Sequence, residues 1–123
     1  MTTIKTFREL EVWKKAHIMV LRVYKITSFF PKNELFGLTS QLRRSAATVP
    51  ANIVEGFRRR SLKDSLHFYN IADASLEETK YHLLLAFDLQ YINTTQYAEE
   101  NDFTEQVGRL LTRWIQSQRQ FIA

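Results

Sequence analysis

The sequence predicts an all-α protein that folds as an antiparallel four-helix bundle with up-down-up-down topology. Apolar residues recur at steps of three and four through four segments, which is the period of one helix face. Only three glycines and two prolines occur in 123 residues, too few for a turn-rich β-sandwich or barrel. The length and the 45% apolar content suit one domain, residues 1–123, with a real core.

The first predicted helix covers residues 7–27 and ends before Pro31, which cannot continue it. Its predicted core stripe comprises Leu10, Trp13, His17, Val20, Tyr24 and Thr27. Trp13 and Tyr24 are at core spacing, so we interpret both rings as core residues rather than as platforms for stacking bases.

The second predicted helix covers residues 34–60 and contains Pro50, so we expect one helix with a proline kink. Its predicted core stripe comprises Leu38, Leu42, Ala46, Val49, Ile53 and Phe57. A polar stripe lies beside that core and comprises Gln41, Arg44, Thr48, Asn52 and Glu55. Such a stripe suits either an internal hydrogen-bond network or a subunit interface.

The third and fourth predicted helices cover residues 62–91 and 96–120. Ser61 and Asp64 resemble a capping box at the start of the third helix, and Asn93 precedes the fourth. A small-residue seam on the third helix comprises Ala72, Ser75, Thr79 and Ala86, beside Tyr69, Leu76 and Leu83. The inward face of the fourth helix is predicted to comprise Phe103, Val107, Leu110, Leu111, Trp114, Ile115 and Phe121.

Composition excludes several kinds of site. Three scattered glycines cannot build a glycine-rich phosphate loop, and the absence of cysteine excludes disulfides and thiol chemistry. A di-iron bundle would need two Glu-x-x-His pairs, whereas the sequence offers only the pairs Asp64–His67 and Glu78–His82. We therefore expect no metal, no cofactor and no enzymatic activity.

Charge is distributed unevenly along the chain. Residues 1–63 hold 13 Lys and Arg against 4 Asp and Glu, whereas residues 64–123 hold 4 against 9. Such asymmetry fits a basic face for an anionic partner, and equally fits two halves that neutralise each other. No uncharged stretch is longer than ten residues, the length of residues 45–54, which is too short to span a membrane. We expect a cytoplasmic protein without a membrane partner.

The basic residues suggest where an anionic partner would bind. The candidate nucleic-acid-binding residues are Arg43, Arg58, Arg59, Arg60 and Lys63. Guanidinium forks suit phosphate groups, although a solvated helix end is an alternative explanation for three consecutive arginines. Arg44 lies beside the core, where it is also a candidate partner for Glu55 or Glu77.

Residues 30–61, FPKNELFGLTSQLRRSAATVPANIVEGFRRRS, resemble the four-helix-bundle proteins encoded by intervening sequences of bacterial 23S ribosomal RNA genes. Supporting segments are FRELEVWKKA, HFYNIADASLEET, LLLAFDLQYI and VGRLLTRWI, in that order along the chain. Ala74 and Thr79 depart from the family pattern. A more distant likeness connects the chain to the accessory variability protein of diversity-generating retroelements.

The resemblance implies a ring-forming bundle, with a homopentamer as the expected form, and no demonstrated catalytic chemistry. The residues that match its motif, where a functional surface is expected first, are Gln41, Arg43, Arg44, Pro50, Asn52, Glu55 and Gly56.

Together these observations predict a non-catalytic homo-oligomer that binds RNA or DNA through a repeated basic surface. The alternative is a structural module whose basic helix end docks an acidic protein partner, and a helical enzyme ranks third.

Overall fold

The computed structural model describes residues 4–121, and this part of the chain is helical without any strand. Its four α-helices are α1 (Glu11–Thr27), α2 (Leu38–Arg58), α3 (Leu62–Asp88) and α4 (Thr94–Arg119). Two 3-10 turns, Phe7–Glu9 and Lys32–Glu34, precede α1 and α2. The predicted all-α fold is confirmed, although α2 begins four residues later than the sequence pattern suggested.

The helices pack as a four-membered bundle in which α1 and α3 each contact α2 and α4. The contacts join the start of one helix to the end of its neighbour. Ser45 of α2 meets His82 of α3, and Arg22 of α1 binds Glu100 of α4. This pairing is that of neighbours running in opposite directions, so the junctions α1–α2 and α3–α4 lie at one end of the bundle and the junction α2–α3 lies at the other.

Side-chain caps mark where α3 and α4 begin. Ser61 Oγ accepts a hydrogen bond from the Asp64 amide at the start of α3, which is one of the two bonds of the capping box that the sequence predicted. Asn93 and Gln96 form a reciprocal capping box at the start of α4. Pro50 lies within α2, which continues across it as one helix, and the kink itself stays a prediction.

The core predicted for α2 and α3 is confirmed. The α2 stripe is buried from Leu38 to Ile53, with Phe57 half-buried at its end. All four residues of the α3 small-residue seam are buried, as are Tyr69, Leu76 and Leu83. Gly56 allows the closest approach, because a Cβ at that position would lie only 2.4 Å from the Tyr69 ring.

The core stripes predicted for α1 and α4 are partly wrong. The buried α1 residues are Val12, Ala16, Met19, Val23, Ile26 and Thr27. Trp13 and Val20 are half-buried, whereas His17 and Tyr24 are exposed. In α4, Thr104, Val107, Leu111 and Ile115 are buried and Phe121 is exposed. The predicted inward faces followed the large aromatic side chains. In the structure, small and aliphatic residues fill the narrow space between the helices, and the aromatic rings lie at its edge.

None of the helices between residues 4 and 121 is long and apolar enough to cross a lipid bilayer.

Candidate functional site

Four basic side chains surround the junction between α2 and α3. Arg58 ends α2, Arg59 and Arg60 form the connection, and Lys63 lies in the first turn of α3. All four are exposed. We call these four residues the basic cluster. The sequence predicted them as phosphate-binding candidates, and the structure brings them together at one end of the bundle.

Contacts fix one of these four side chains. The Arg59 guanidinium pairs with Glu55 one turn earlier and lies 4.4 Å from the centre of the Phe68 ring. The ion pairs found within residues 4–121 do not include Arg58, Arg60 or Lys63. Three positive charges at this junction are therefore available to an external anion.

Arg8 adds a further charge at the same end. Its 3-10 turn contacts both α1 and α2. Because α1 and α2 run in opposite directions, the start of α1 lies beside the end of α2 and its arginine. Glu9, the nearest acid in the sequence, accepts hydrogen bonds from the backbone amides of Lys5 and Thr6, which lower its pKa.

Arg43 does not join the basic cluster. It lies 15 positions before Arg58 in the same helix, or about 22 Å along the axis at ~1.5 Å per residue. Its Nε donates a 2.8 Å hydrogen bond to Thr27 Oγ1, and its guanidinium lies 4.6 Å from the centre of the Tyr24 ring. Arg43 is therefore held against α1 near the opposite end of the bundle.

Within residues 4–121 the predicted polar stripe makes no hydrogen bond or ion pair to another helix. Gln41, Arg44 and Glu55 are exposed. The bonds along the stripe stay within α2, since Thr48 Oγ1 donates to the Arg44 carbonyl and Asn52 Nδ2 donates to the Thr48 carbonyl. An internal pair between Arg44 and a glutamate is also absent from the described residues, because Glu55 pairs with Arg59 and Glu77 with Lys80. The alternative role as a subunit interface stays a prediction.

The buried polar cluster instead joins α2 to α3 through Ser45, Thr79 and His82. Ser45 Oγ lies 3.2 Å from His82 Nδ1 and 3.0 Å from Thr79 Oγ1. Burial lowers the pKa of His82, and the carboxylate of Glu78, 3.9 Å from Nε2, opposes that shift. This cluster was not predicted from the sequence, although Ser45 lies between Leu42 and Val49 on the core stripe.

In space, Ser45, His82 and Glu78 follow one another as serine, histidine and acid do in the catalytic triad of a hydrolase. Their environment, however, does not suit catalysis. Ser45 is only 3% exposed, so a substrate cannot reach its hydroxyl. The hydroxyls of Ser45 and Thr79 and the imidazole of His82 bond to one another inside the helix interface, as buried polar groups ordinarily must. The cluster therefore stabilises the pairing of α2 with α3.

The described residues contain no group of three or more histidine, aspartate or glutamate side chains placed to hold a metal ion. Glu78 and His82 lie 3.9 Å apart, without a third acidic or histidine ligand among the described residues.

A family model described as 23S rRNA-intervening sequence protein matches residues 8–113. The chain belongs to this family. The crystal structure of a protein of unknown function from the S23 ribosomal protein family of Bacteroides thetaiotaomicron VPI-5482 is similar, with 28% identity and a TM-score of 0.79. The similarity covers 85% of this chain and 97% of that one. No curated protein matches the chain.

These comparisons confirm the family resemblance that residues 30–61 and the four shorter segments indicated. The match includes the polar stripe of α2 and the whole basic cluster. The more distant likeness to a retroelement accessory protein stays a prediction.

Proposed function

We propose that this protein is a non-catalytic homo-oligomer, most simply a pentamer, that binds RNA or DNA through its basic cluster. The observation that carries the proposal is the concentration of exposed Arg58, Arg60 and Lys63 at one helix junction without acidic partners among residues 4–121. Such a surface attracts polyanions through phosphate contacts that need no particular base sequence.

The geometry of the junction suits the binding of phosphate groups. Arg59 is fixed by Glu55 and Phe68, so the neighbouring arginines project from an ordered segment rather than from a loose tail. Planar guanidinium groups donate paired hydrogen bonds that match phosphate oxygens. Arg8 extends the positive surface toward α1.

Self-association would repeat this surface in every subunit. Exposed apolar side chains on the flanks of the bundle support a second copy as partner, notably Ile18 and Leu21 on α1 and Tyr81 and Leu84 on α3. A ring would concentrate several basic clusters in one particle and raise its avidity for a long polyanion. Light scattering should then give a mass several times 14.6 kDa, with five times the simplest expectation. A monomer at micromolar concentration would contradict the oligomeric part of the proposal.

A charge-matched pair of variants tests the binding surface. The first variant replaces Arg58, Arg59 and Arg60 by Gln, and the control replaces Lys14, Lys25 and Arg109 by Gln. Both lose three positive charges, but only the first removes them from one place. The first variant should bind RNA and DNA more weakly, and its plot of log K against log salt should be shallower by about 0.7–0.9 per lost phosphate contact.

The control should keep most of the wild-type affinity and slope, and both variants should keep their helical content because exposed charges contribute little stability. The proposal fails if the wild type binds no nucleic acid at ~50 mM salt. It also fails if the two variants behave alike, since the charge of the whole particle would then explain the binding. Retained binding of an acidic protein without nucleic-acid binding would favour the docking module.

A further inference from the structure

A second surface feature lies at the other end of α2. It is a pocket of about 370 Å³ between the end of α1, the turn before α2 and the first turns of α2. The residues of its wall carry two aromatic rings, two guanidinium groups and three hydroxyls, and they include Tyr24, Phe36, Arg43, Arg44, Thr39 and Ser40. The basic cluster does not contribute to this pocket.

The aromatic rings of the pocket are unusually accessible. Phe36 is 93% exposed and Tyr24 is 47% exposed. Leu35, also exposed, continues the apolar wall. Exposed aromatic rings grouped on one concave surface generally mark a binding site, because water solvates them poorly.

The turn that carries Phe36 is anchored to the bundle. Tyr91 donates a 2.7 Å hydrogen bond to Glu34, and the other carboxylate oxygen of Glu34 accepts from the amide of Leu38. Phe30 packs against the Tyr91 ring at 5.4 Å. The Phe36 ring is therefore presented from a fixed backbone, which lowers the entropic cost of binding against it.

The guanidinium groups make the pocket selective for an anion. Arg43 uses its Nε toward Thr27 and lies over Tyr24, and its remaining N–H groups have no acceptor among residues 4–121. Arg44 is exposed and has no ion pair within the same residues. Stacking surface and unpaired guanidinium groups thus stand side by side in one pocket.

We propose that this pocket binds an unpaired nucleotide of single-stranded RNA or DNA, with the base stacked on Phe36 beside Tyr24 and its phosphate on Arg43 and Arg44. A base offers its face to an aromatic ring only when it is unstacked, so a duplex cannot use this pocket. The inference rests on the proposed nucleic-acid binding and adds to it a preference for single strands. The basic cluster then supplies charge, and this pocket supplies selectivity for unpaired bases.

Fluorescence anisotropy with a single-stranded oligonucleotide and a duplex of equal length tests this division. Phe36→Ala should weaken single-strand binding about 5- to 150-fold, the range of one base–aromatic stack. Duplex binding and the salt slope should not change, because phenylalanine carries no charge. Phe36→Trp should keep the preference for single strands, and Arg43→Lys should reduce it while keeping the charge.

Phe29→Ala is the matched control, because Phe29 is 76% exposed in the same interhelical connection but does not line the pocket. It should bind like the wild type. Equal single-strand affinity of Phe36→Ala and wild type would overturn the inference and leave the proposed function intact, whereas absence of wild-type binding would overturn both. A changed light-scattering mass for Phe36→Ala would also overturn the inference, since the patch would then be a contact between subunits.

Discussion

The two ends of the bundle differ in the side chains that accompany their basic residues. At the junction of α2 and α3 the exposed side chains include the arginines and lysine of the basic cluster. At the other end Leu35 and Phe36 are exposed beside Arg43 and Arg44, and Phe29 and Leu89 are exposed as well. The comparison shows that a small helical scaffold can hold a cluster of charged residues and a surface that combines charge with aromatic rings one helix length apart. Each end can therefore be altered without changing the other.

The largest expected effect comes from breaking the close helix approach that supports the basic end. In an exposed helix Gly→Ala is stabilising, but a Cβ on Gly56 would lie 2.4 Å from the Tyr69 ring and 3.0 Å from the Ser65 carbonyl oxygen. We expect Gly56→Ala to lower the free energy of unfolding by about 1–3 kcal/mol through overpacking. Urea denaturation measures this change.

Gly108→Ala is its control, because a Cβ there meets only ordinary contacts, the nearest being Leu76 at 3.4 Å. That variant should be neutral or more stable by up to ~1 kcal/mol. Equal stability of the two variants would contradict the close packing of α2 on α3.

Mild acid should destabilise the buried cluster of Ser45, Thr79 and His82, which contacts α2 nearer its start than its end. Burial holds the pKa of His82 below its ordinary value, so the folded protein binds fewer protons than the unfolded chain. Stability from this group is complete above the unfolded value of about 6.5 and falls as pH decreases toward the lowered folded value. His82→Asn keeps a partner for Ser45 but does not titrate, so its denaturation midpoint should depend less on pH between these values. The same pH dependence in both proteins would show that His82 is not the titrating group.

The smallest expected effect on stability concerns Glu55, whose removal sharpens the contrast between the ends. It pairs with Arg59 on an exposed helix surface. We expect Glu55→Gln to change the free energy of unfolding by less than ~0.5 kcal/mol. Freeing Arg59 should at the same time strengthen nucleic-acid binding at low salt, as anisotropy would show. A large loss of stability would indicate that the polar stripe of α2 is buried in an assembly.

Helix periodicity predicted the fold well where one face alone is apolar. The stripe of α2 and the seam of α3 were recovered because their small and aliphatic residues follow a single phase. In α1 apolar residues occur on two adjacent helix faces. The aromatic residues Trp13 and Tyr24 led to the choice of the face that is less buried. Periodicity treats an aromatic residue as core, so it could not show that Tyr24 and Phe36 are exposed.

The basic cluster could be read directly from the sequence because its residues are adjacent in the chain. The contact between Ser45 and His82 could not be predicted in this way, since the two residues lie on different helices and 37 positions apart in the sequence. The position of Arg43 also needed the structure, because only the packing of α1 on α2 brings Thr27 to its Nε. Contacts across helices depend on rotation and register, which the spacing within one helix does not fix.

The most direct test of the account is whether nucleic acid accompanies the protein during purification. The chain contains two tryptophans and five tyrosines, so protein free of nucleic acid absorbs more strongly at 280 nm than at 260 nm. We predict a raised ratio of absorbance at 260 to 280 nm after purification at low salt, which falls after a high-salt wash or nuclease treatment. The variant lacking Arg58, Arg59 and Arg60 should show a lower ratio from the start. An identical ratio for the wild type at low and high salt, unaffected by nuclease, would contradict the proposed binding of nucleic acid.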